Sequence, residues 1–179
     1  MTDVNLTETD HVDRFLAELD GPELDLTVEG IVDRIMGISR RLRRSMDETL
    51  ENVDLTWEEW KLICTLRNQG APYRLSPGEL AQKQELSSGA MTNRLDQLEE
   101  AGLVHRLPNP DDRRGLLVEL TEKGQQVWHD SIGAQAKKEA LITGAALDES
   151  EREELNRYLR RLMIAFERIE AAGRTGSGQ

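Results

Sequence analysis

The 179 residues are enough for one domain with a buried core, or for such a domain with helical extensions. Aromatic residues are scarce at 4%, charged residues make up 32% and the net charge is −11, a balance typical of a helical protein with solvated faces. The sequence contains no run of about 18 apolar residues, so no membrane span is predicted. The acidic N-terminus does not resemble a signal peptide. We therefore expect a cytoplasmic protein with no membrane partner.

The first fifty residues predict one short and one long helix. Residues 1–26 form an acidic extension, in which a short helix from His11 to Leu19 is broken by Gly21-Pro22. A long helix follows from about Thr27 to Asn52, because apolar residues recur there every three or four positions. This stripe consists of Val28, Ile31, Ile35, Ile38, Leu42, Met46 and Leu50.

Three shorter helices are predicted in the middle of the chain. Two of them begin with capping-box patterns, in which a hydroxyl residue is followed three positions later by Glu. The pairs are Thr56 with Glu59, and Ser76 with Glu79. The first helix ends at Gly70 and the second near Glu85, and a third runs from Ser88 to about Glu100.

A β-hairpin is predicted after the third of these helices. Its strands are Leu103–Leu107 and Leu116–Leu120, with a polar, basic loop over residues 108–115. Three helices followed by such a hairpin are the order of a winged helix-turn-helix, which we place at residues 56–120. In that motif the last helix enters the major groove of DNA, and the hairpin tip reaches the flanking minor groove.

Two long helices are predicted to end the chain. The first runs from Thr121 to about Ala146, and the second is capped by Asp148 and runs from Glu149 to about Ala171, with a flexible tail at residues 173–179. The last helix has a coiled-coil-like stripe formed by Leu155, Leu159, Leu162, Phe166 and Ile169. We therefore expect residues 27–55 and 121–172 to form a helical dimerisation region. The fold class is mainly α with a small β-hairpin.

The third helix of the motif separates a core face from a face for DNA. Met91, Leu95 and Leu98 lie on one side of a helical wheel, and Asn93 points almost opposite. The expected DNA-binding residues are Ser87, Ser88, Gly89, Thr92 and Asn93 in this helix, and Asp111, Arg113 and Arg114 in the hairpin. The net charge does not exclude DNA, because residues 1–30 carry −8 and the remaining 149 residues only −3.

Two other functions compete with DNA binding. Catalysis is not predicted, because the three histidines and the lone cysteine match no catalytic or metal-ligand motif, and we expect neither a cofactor nor a metal site. The alternative is a winged helix that binds only protein. Arg113 and Arg114 favour DNA over that alternative, since they have no evident structural task.

The single cysteine, Cys64, excludes an intrachain disulfide. Its neighbours Leu62, Ile63 and Leu66 favour a small buried core residue. Lys61 and Arg67 also lie nearby, so a redox-sensing thiol stays open as the alternative.

The stretch from Leu75 to Gly124, LSPGELAQKQELSSGAMTNRLDQLEEAGLVHRLPNPDDRRGLLVELTEKG, resembles the MarR family of bacterial regulators. The resemblance extends over most of residues 27–170. It implies a homodimer whose first and last helices form the dimerisation domain, and a pseudo-palindromic operator. It also implies repression as the default and release from DNA by a small ligand.

The opening segment DHVDRFLAEL resembles the branch typified by HucR, PecS and TamR, which has an extra N-terminal helix. In that branch a urate site contains two arginines twelve positions apart, and these match Arg94 and Arg106. Leu19 stands in the place of a tryptophan, and Lys61 in the place of an aspartate. The resemblance thus implies a ligand site of Lys61, Arg94, Arg106 and Leu19. We expect it to bind a small organic anion, carboxylate-rich or an aromatic acid, rather than urate.

Arg94 carries the connection between this ligand and DNA. On the helical wheel it lies about 70° from the centre of the apolar face, so its guanidinium turns partly inward and needs an anionic partner. That partner is either a small anion or an Asp or Glu of the chain itself, and the sequence leaves both open.

Overall fold

The computed structural model describes residues 8–19, 21 and 23–176, and for residues 113, 114 and 174–176 it describes the backbone alone. The elements in chain order are α1 (His11–Glu18), α2 (Leu26–Glu51), α3 (Trp57–Arg67), β1 (Arg74–Leu75), α4 (Pro77–Lys83), α5 (Ser88–Glu100), β2 (Val104–Asn109), β3 (Asp112–Leu120), α6 (Glu122–Ala146) and α7 (Glu149–Gly176). They fall into two compact units, one over Asp10–Ala136 and one over the described parts of 1–9 and 137–179.

Local hydrogen bonds begin α3 and α4 at the predicted residues. The Thr56 hydroxyl accepts from the Glu59 N–H at 3.3 Å, and the Glu59 carboxylate accepts from the Thr56 N–H at 2.8 Å. Ser76 and Glu79 repeat this exchange at 3.2 and 2.8 Å. Each box satisfies two donors that a helix start would otherwise leave unpaired. Both predicted capping boxes are therefore confirmed.

The sheet is larger than the predicted hairpin. β1 pairs antiparallel with the end of β3, through Arg74 with Glu119 and Leu75 with Val118, so the strand order is β1-β3-β2. The hairpin strands also reach residues 109 and 112, which leaves only residues 110–111 between them. The predicted loop over 108–115 was too long, because cross-strand pairing extends the strands past the polar residues.

The apolar core lies where α3, α4 and α5 meet the sheet. α5 buries Met91, Leu95 and Leu98, which confirms the predicted core face of this helix. The other fully buried side chains of this core are Leu50, Leu62, Ile63, Leu66, Leu80, Val104, Val118 and Leu120.

The start of α6 is fixed against the loop that follows α5. The Thr121 hydroxyl donates to the Gly102 carbonyl at 2.7 Å. At Gly124 a Cβ would lie 2.1 Å from the Leu103 carbonyl oxygen, so only glycine permits this approach. Further along α6, Gln135 is buried and its Oε1 lies 3.1 Å from the Thr49 hydroxyl of α2. These contacts fix the α6 segment up to residue 135 within the Asp10–Ala136 unit.

The predicted short helix is present as α1, and it packs along α2. Asp10 caps α1 and pairs with Arg34 at 2.9 Å, and Asp13 pairs with the same guanidinium. The hydrogen bond from the Asp13 N–H, followed by that from Arg34, lowers the pKa of Asp10 to about 2. The predicted break at Gly21-Pro22 includes Pro22, which lies outside the described residues.

The apolar stripes of α2 and α7 are mostly exposed in the single chain. In α2 the first five residues of the stripe are between 38% and 57% exposed, and only Met46 and Leu50 are buried. In α7 the five stripe residues are between 41% and 69% exposed.

The described part of the last helix runs further than expected. Asp148 accepts from the Glu151 N–H at 2.9 Å, which confirms it as the cap of α7. The helix continues to Gly176, so residues 173–176 of the expected tail are helical, and residues 177–179 lie outside the described residues. No helix in the described ranges is both long and apolar enough to cross a membrane.

Candidate nucleic-acid interface

The first turns of α5 present a polar, exposed surface. Ser87, Ser88, Gly89, Thr92 and Asn93 are all exposed. The Ser87 hydroxyl accepts from the Ala90 N–H at 3.3 Å, and the Thr92 hydroxyl donates to the Ser88 carbonyl at 2.9 Å. Among the described residues, none forms a hydrogen bond with the Asn93 side chain. Its amide therefore has both donor and acceptor capacity for an outside molecule.

Gly89 has no structural reason to be glycine. A Cβ placed there would meet nothing within 4 Å, and the residue lies in a regular helix. Glycine in such a position costs about 0.5–1 kcal/mol relative to alanine. The bare backbone at Gly89 thus leaves room for close approach by another molecule.

The tip of the hairpin is held in a tight turn. The Asp111 N–H donates to the Asn109 side chain at 3.0 Å, and Asp111 itself is exposed. A Cβ at Gly115 would lie only 3.0 Å from the Asp112 carboxylate. Arg113 and Arg114 belong to β3 rather than to a loop, and their side chains lie outside the described residues. Their contact with DNA stays a prediction.

Glu58 brings together two of the predicted ligand residues. Its carboxylate lies 2.7 Å from the Lys61 ammonium and 3.5 Å from the Arg94 guanidinium. The hydrogen bond from Lys61, and then the charges of Lys61, Arg94 and Arg43, lower the pKa of Glu58. The inward-turned Arg94 thus has an acidic partner in the chain, one of the two possibilities that the sequence left open.

Arg106 is held elsewhere, by two carboxylates of α5. It contacts Asp96 at 2.7 Å and also pairs with Glu99, which accepts a further hydrogen bond from the Arg106 backbone N–H at 3.1 Å. Burial opposes the charged form of Arg106, but the side-chain hydrogen bonds with Asp96 and Glu99 raise its pKa. Three converging cations were expected, yet the structure brings only Lys61 and Arg94 to a common partner.

Leu19 lies far from this pair of cations within one chain. Leu19 follows α1, and Leu16 of α1 contacts α2 at Gly30. Glu58 instead lies near Arg43 of α2, whose charge lowers the Glu58 pKa. Thirteen residues of α2 separate these two points, about 20 Å of helix. The structure therefore does not place Leu19 beside Glu58.

Cys64 is partly buried and packs against the core. Burial raises the pKa of its thiol, although a hydrogen bond with Trp128 acts in the opposite direction. A raised pKa favours the thiol over the reactive thiolate. This favours the interpretation as a core residue. Across the described ranges, no cluster of His, Cys, Asp and Glu is suited to hold a metal ion.

Comparison with known proteins identifies the motif. The MarR family model matches residues 55–116. PecS of Dickeya dadantii is 32% identical over 103 residues, which cover 58% of this chain and 62% of PecS. The multiple antibiotic resistance protein MarR of Escherichia coli is 33% identical over 105 residues, which cover 57% of this chain and 71% of MarR. The chain belongs to the MarR family.

Solved structures agree with this assignment. The crystal structure of a mutant MarR from E. coli in complex with operator DNA superposes with a TM-score of 0.58 at 27% identity, and covers 78% of this chain and 98% of that one. The predicted family and winged-helix fold are thereby confirmed. PecS is named as a transcriptional regulator and the relative YetL of Bacillus subtilis as a transcriptional repressor, which confirms the prediction that the chain is not an enzyme.

Sequence reasoning missed the partners that this MarR-family chain supplies for its own cations. Glu58 lies three positions before Lys61, a spacing that places the two side chains on one helix face, so that contact had a local signal. Asp96 and Glu99 are likewise three apart on α5. Their contact with Arg106 depends on how β2 returns along α5, which the sequence pattern does not specify.

Proposed function

We propose that this protein is a transcriptional regulator that binds the duplex DNA of a pseudo-palindromic operator as a homodimer. It acts as a repressor in the cytoplasm, and a small organic anion releases it from the operator. The observation that carries the proposal is the exposed start of α5, with an unpaired Asn93 side chain and a glycine that internal packing does not need.

The chemistry of this surface suits DNA better than protein. The exposed residues Ser87, Ser88, Thr92 and Asn93 carry hydroxyl and amide groups, whereas the centre of a protein interface is enriched in aromatic and other apolar side chains. Amide groups read adenine edges in the major groove, and hydroxyl groups at a helix start contact phosphate. One related protein of known structure, a mutant MarR from E. coli, is complexed with operator DNA.

The homodimer is supported by the exposed apolar stripes. The described residues of α7 are exposed throughout residues 149–173 in the single chain, including Leu155, Leu159 and Leu162. Contiguous apolar surface of this length marks an interface. A two-fold axis would set two α5 helices about 34 Å apart, one turn of B-DNA, and this spacing accounts for a pseudo-palindromic operator.

The ligand is proposed to act at Glu58, Lys61 and Arg94. One carboxylate here faces two cations, so a net positive charge is left to attract an organic anion. Arg94 belongs to α5, and Lys61 belongs to α3. An anion that bound both cations would change how α5 is held against α3, and would favour arrangements of α5 that do not fit the groove.

A mobility-shift assay with the upstream region of the gene tests DNA binding. Asn93→Ala is expected to cost about 1–3 kcal/mol and to relax preference at particular base pairs, because it removes a base-edge contact. Arg114→Ala is expected to weaken binding to all sequences and to flatten the salt dependence. Equal losses for both variants on operator and random DNA would overturn the assignment of α5 as the reading helix.

The same assay with citrate and urate tests the ligand. Citrate is expected to weaken operator binding and raise the melting temperature, and Arg94→Ala is expected to abolish both effects. Arg106→Gln serves as the matched variant, since its carboxylate partners lie elsewhere, and it is expected to keep the response. Release by urate with no effect of citrate would show that the site selects a different ligand.

A further inference from the structure

A strained glutamate lies in the turn that joins α4 to α5. Glu85 has a φ of 54°, in the left-handed region that residues with a side chain seldom adopt. Its N–H donates to the Gln82 carbonyl at 3.3 Å, and the Leu86 N–H donates to the Ala81 carbonyl at 2.9 Å. This pair of hydrogen bonds is a Schellman motif, in which the left-handed residue is usually glycine. Glutamate at this position therefore makes the end of α4 less stable than glycine would.

Two other helices of this chain end with the same pair of hydrogen bonds. The left-handed residue after α5 is Gly102, with a φ of 71°, and the one after α2 is Asp54, with a φ of 52°. Glycine has no Cβ to clash, and aspartate is one of the few other residues that adopt this conformation. Glutamate belongs to neither class, so the geometry of the helix end gives no reason for Glu85.

The Glu85 carboxylate has no partner within the described residues. The side chain is exposed, and no hydrogen bond or ion pair to its carboxylate is present in that part of the chain. The hydrogen bonds from Ser76, and then the charge of Lys83, lower the pKa of Glu79. The cation nearest in sequence therefore acts on a different carboxylate, and the charge of Glu85 is left to act on an outside molecule.

The surface proposed to bind DNA begins two residues after Glu85. Ser87 caps α5 and Ser88 is its first residue, and two residues of chain extend over at most about 7 Å. A phosphate bound at these hydroxyl groups would lie within roughly 10 Å of Glu85, which is close to the Debye length at physiological salt. Salt therefore screens the repulsion between the Glu85 carboxylate and this phosphate only in part.

We propose that Glu85 limits the affinity of this protein for duplex DNA by repelling the phosphates beside the start of α5. The proposal rests on the proposed binding of DNA by α5. A limited affinity suits a regulator that a ligand releases, since an effector typically changes the affinity for a second ligand by about 5- to 150-fold. An operator complex too tight for that coupling would stay intact when the ligand binds. At position 85 the chain therefore gives up helix-end stability and keeps a DNA complex that a ligand is able to release.

Fluorescence anisotropy of the full chain tests the charge, with a labelled random duplex and with the upstream region of the gene. Glu85→Gln is expected to bind both duplexes about two- to tenfold more tightly at about 50 mM salt, and the gain should shrink at about 200 mM. Glu85→Asp keeps the charge and should bind as the wild type does. Asp54→Asn is the matched control, because it removes the same charge from an exposed left-handed residue that precedes α3 rather than α5. Its affinity should stay unchanged.

Denaturant unfolding separates the charge of Glu85 from the strain in its backbone. Glu85→Gly removes both, so it should bind DNA as tightly as Glu85→Gln and also raise the equilibrium constant for folding by about two- to fivefold. Glu85→Gln keeps a side chain in the left-handed conformation and should unfold as the wild type does. A gain in affinity shared by both variants, with a gain in stability for glycine alone, is the expected result.

Two results would overturn this proposal alone. One is a Glu85→Gln variant that binds no more tightly than a wild-type chain that does bind DNA. The other is an equal gain for Asp54→Asn, which would assign the effect to net charge rather than to the position of Glu85. A wild-type chain that binds neither duplex would contradict the proposed function and this proposal with it, so the two failures are distinguishable.

Discussion

The winged-helix region and the long terminal helices use their apolar residues in opposite ways. In residues 56–120 the apolar faces of three helices meet a sheet, and α5 leaves Leu95 only 1% exposed. In α7 the apolar stripe leaves Leu159 41% exposed in the single chain. The first region completes its core within one chain. The second has the amphipathic pattern of a core but no cover of its own, so its stability depends on another surface.

A charge placed in the apolar stripe of α7 is expected to have the largest effect, and it tests whether a second chain covers that stripe. If two chains cover the seam, Leu159→Glu buries an unpaired carboxylate twice, and we expect the dimer Kd to rise by about 1000-fold or more. Light scattering against concentration measures the change. Arg160→Glu places the same group about 100° around the helix from Leu159 and about 140° from the centre of the stripe, and should leave the dimer intact. A dimer in both variants would show that α7 is not the interface.

Gly124 tests how tightly the winged-helix region is closed. Gly124→Ala directs a Cβ at the Leu103 carbonyl oxygen, and we expect it to cost about 3 kcal/mol of unfolding free energy. The matched variant is Gly133→Ala on the same helix, where a Cβ meets nothing within 4 Å. That change should stabilise by up to about 1 kcal/mol. Denaturant unfolding of both variants measures the difference, and equal effects would contradict the close approach at Gly124.

Gly89 allows the contribution of α5 to folding stability to be separated from its contribution to DNA binding. We expect Gly89→Ala to leave unfolding unchanged or to stabilise by up to about 1 kcal/mol, because the site is open and helical. Operator affinity should nevertheless fall about tenfold, since the methyl group blocks close approach of the backbone to DNA. Unfolding and mobility-shift measurements on one preparation give both values. Unchanged affinity would remove Gly89 from the interface.

The smallest expected effect lies at the exposed contact of α1 with α2. The Asp10 pKa of about 2 lies below its ordinary value of 3.8. The ion pair of Asp10 with Arg34 therefore stabilises the folded state above about pH 4, and this stabilisation is lost as the pH falls towards 2. Arg34→Gln should therefore raise the pKa of Asp10 towards 3.8, which a carbon-detected titration of the carboxyl measures. The Asp13 N–H still donates to the Asp10 carboxylate, so the Asp10 pKa is not expected to reach 3.8.

Sequence predicted the parts of this molecule that depend on neighbours along the chain. The capping boxes at Thr56 and Ser76 and the core face of α5 follow from spacings of three and four residues. β1 was missed because its two residues pair with Val118 and Glu119, more than forty positions away. Two residues are too few to show the alternation that predicts a strand.

The candidate site was predictable to a similar degree. The exposed face of α5 follows from the helical wheel, whereas the partners of Arg94 and Arg106 depend on the packing of α3 and β2 against α5. Arg67 lies over the rings of both Tyr73 and Trp128, and these three residues come from α3, a loop and α6. Nothing in the spacing of these three residues indicates that they meet.

The buried hydrogen bond between Thr49 and Gln135 constrains how the molecule is able to move. Apolar side chains alone allow two packed helices to slide by a turn, since one apolar contact replaces another at little cost. A slide of one turn would carry Gln135 about 5.4 Å from Thr49 and leave a buried amide without this partner. At this point the hydrogen bond therefore opposes a slide of α6 along α2.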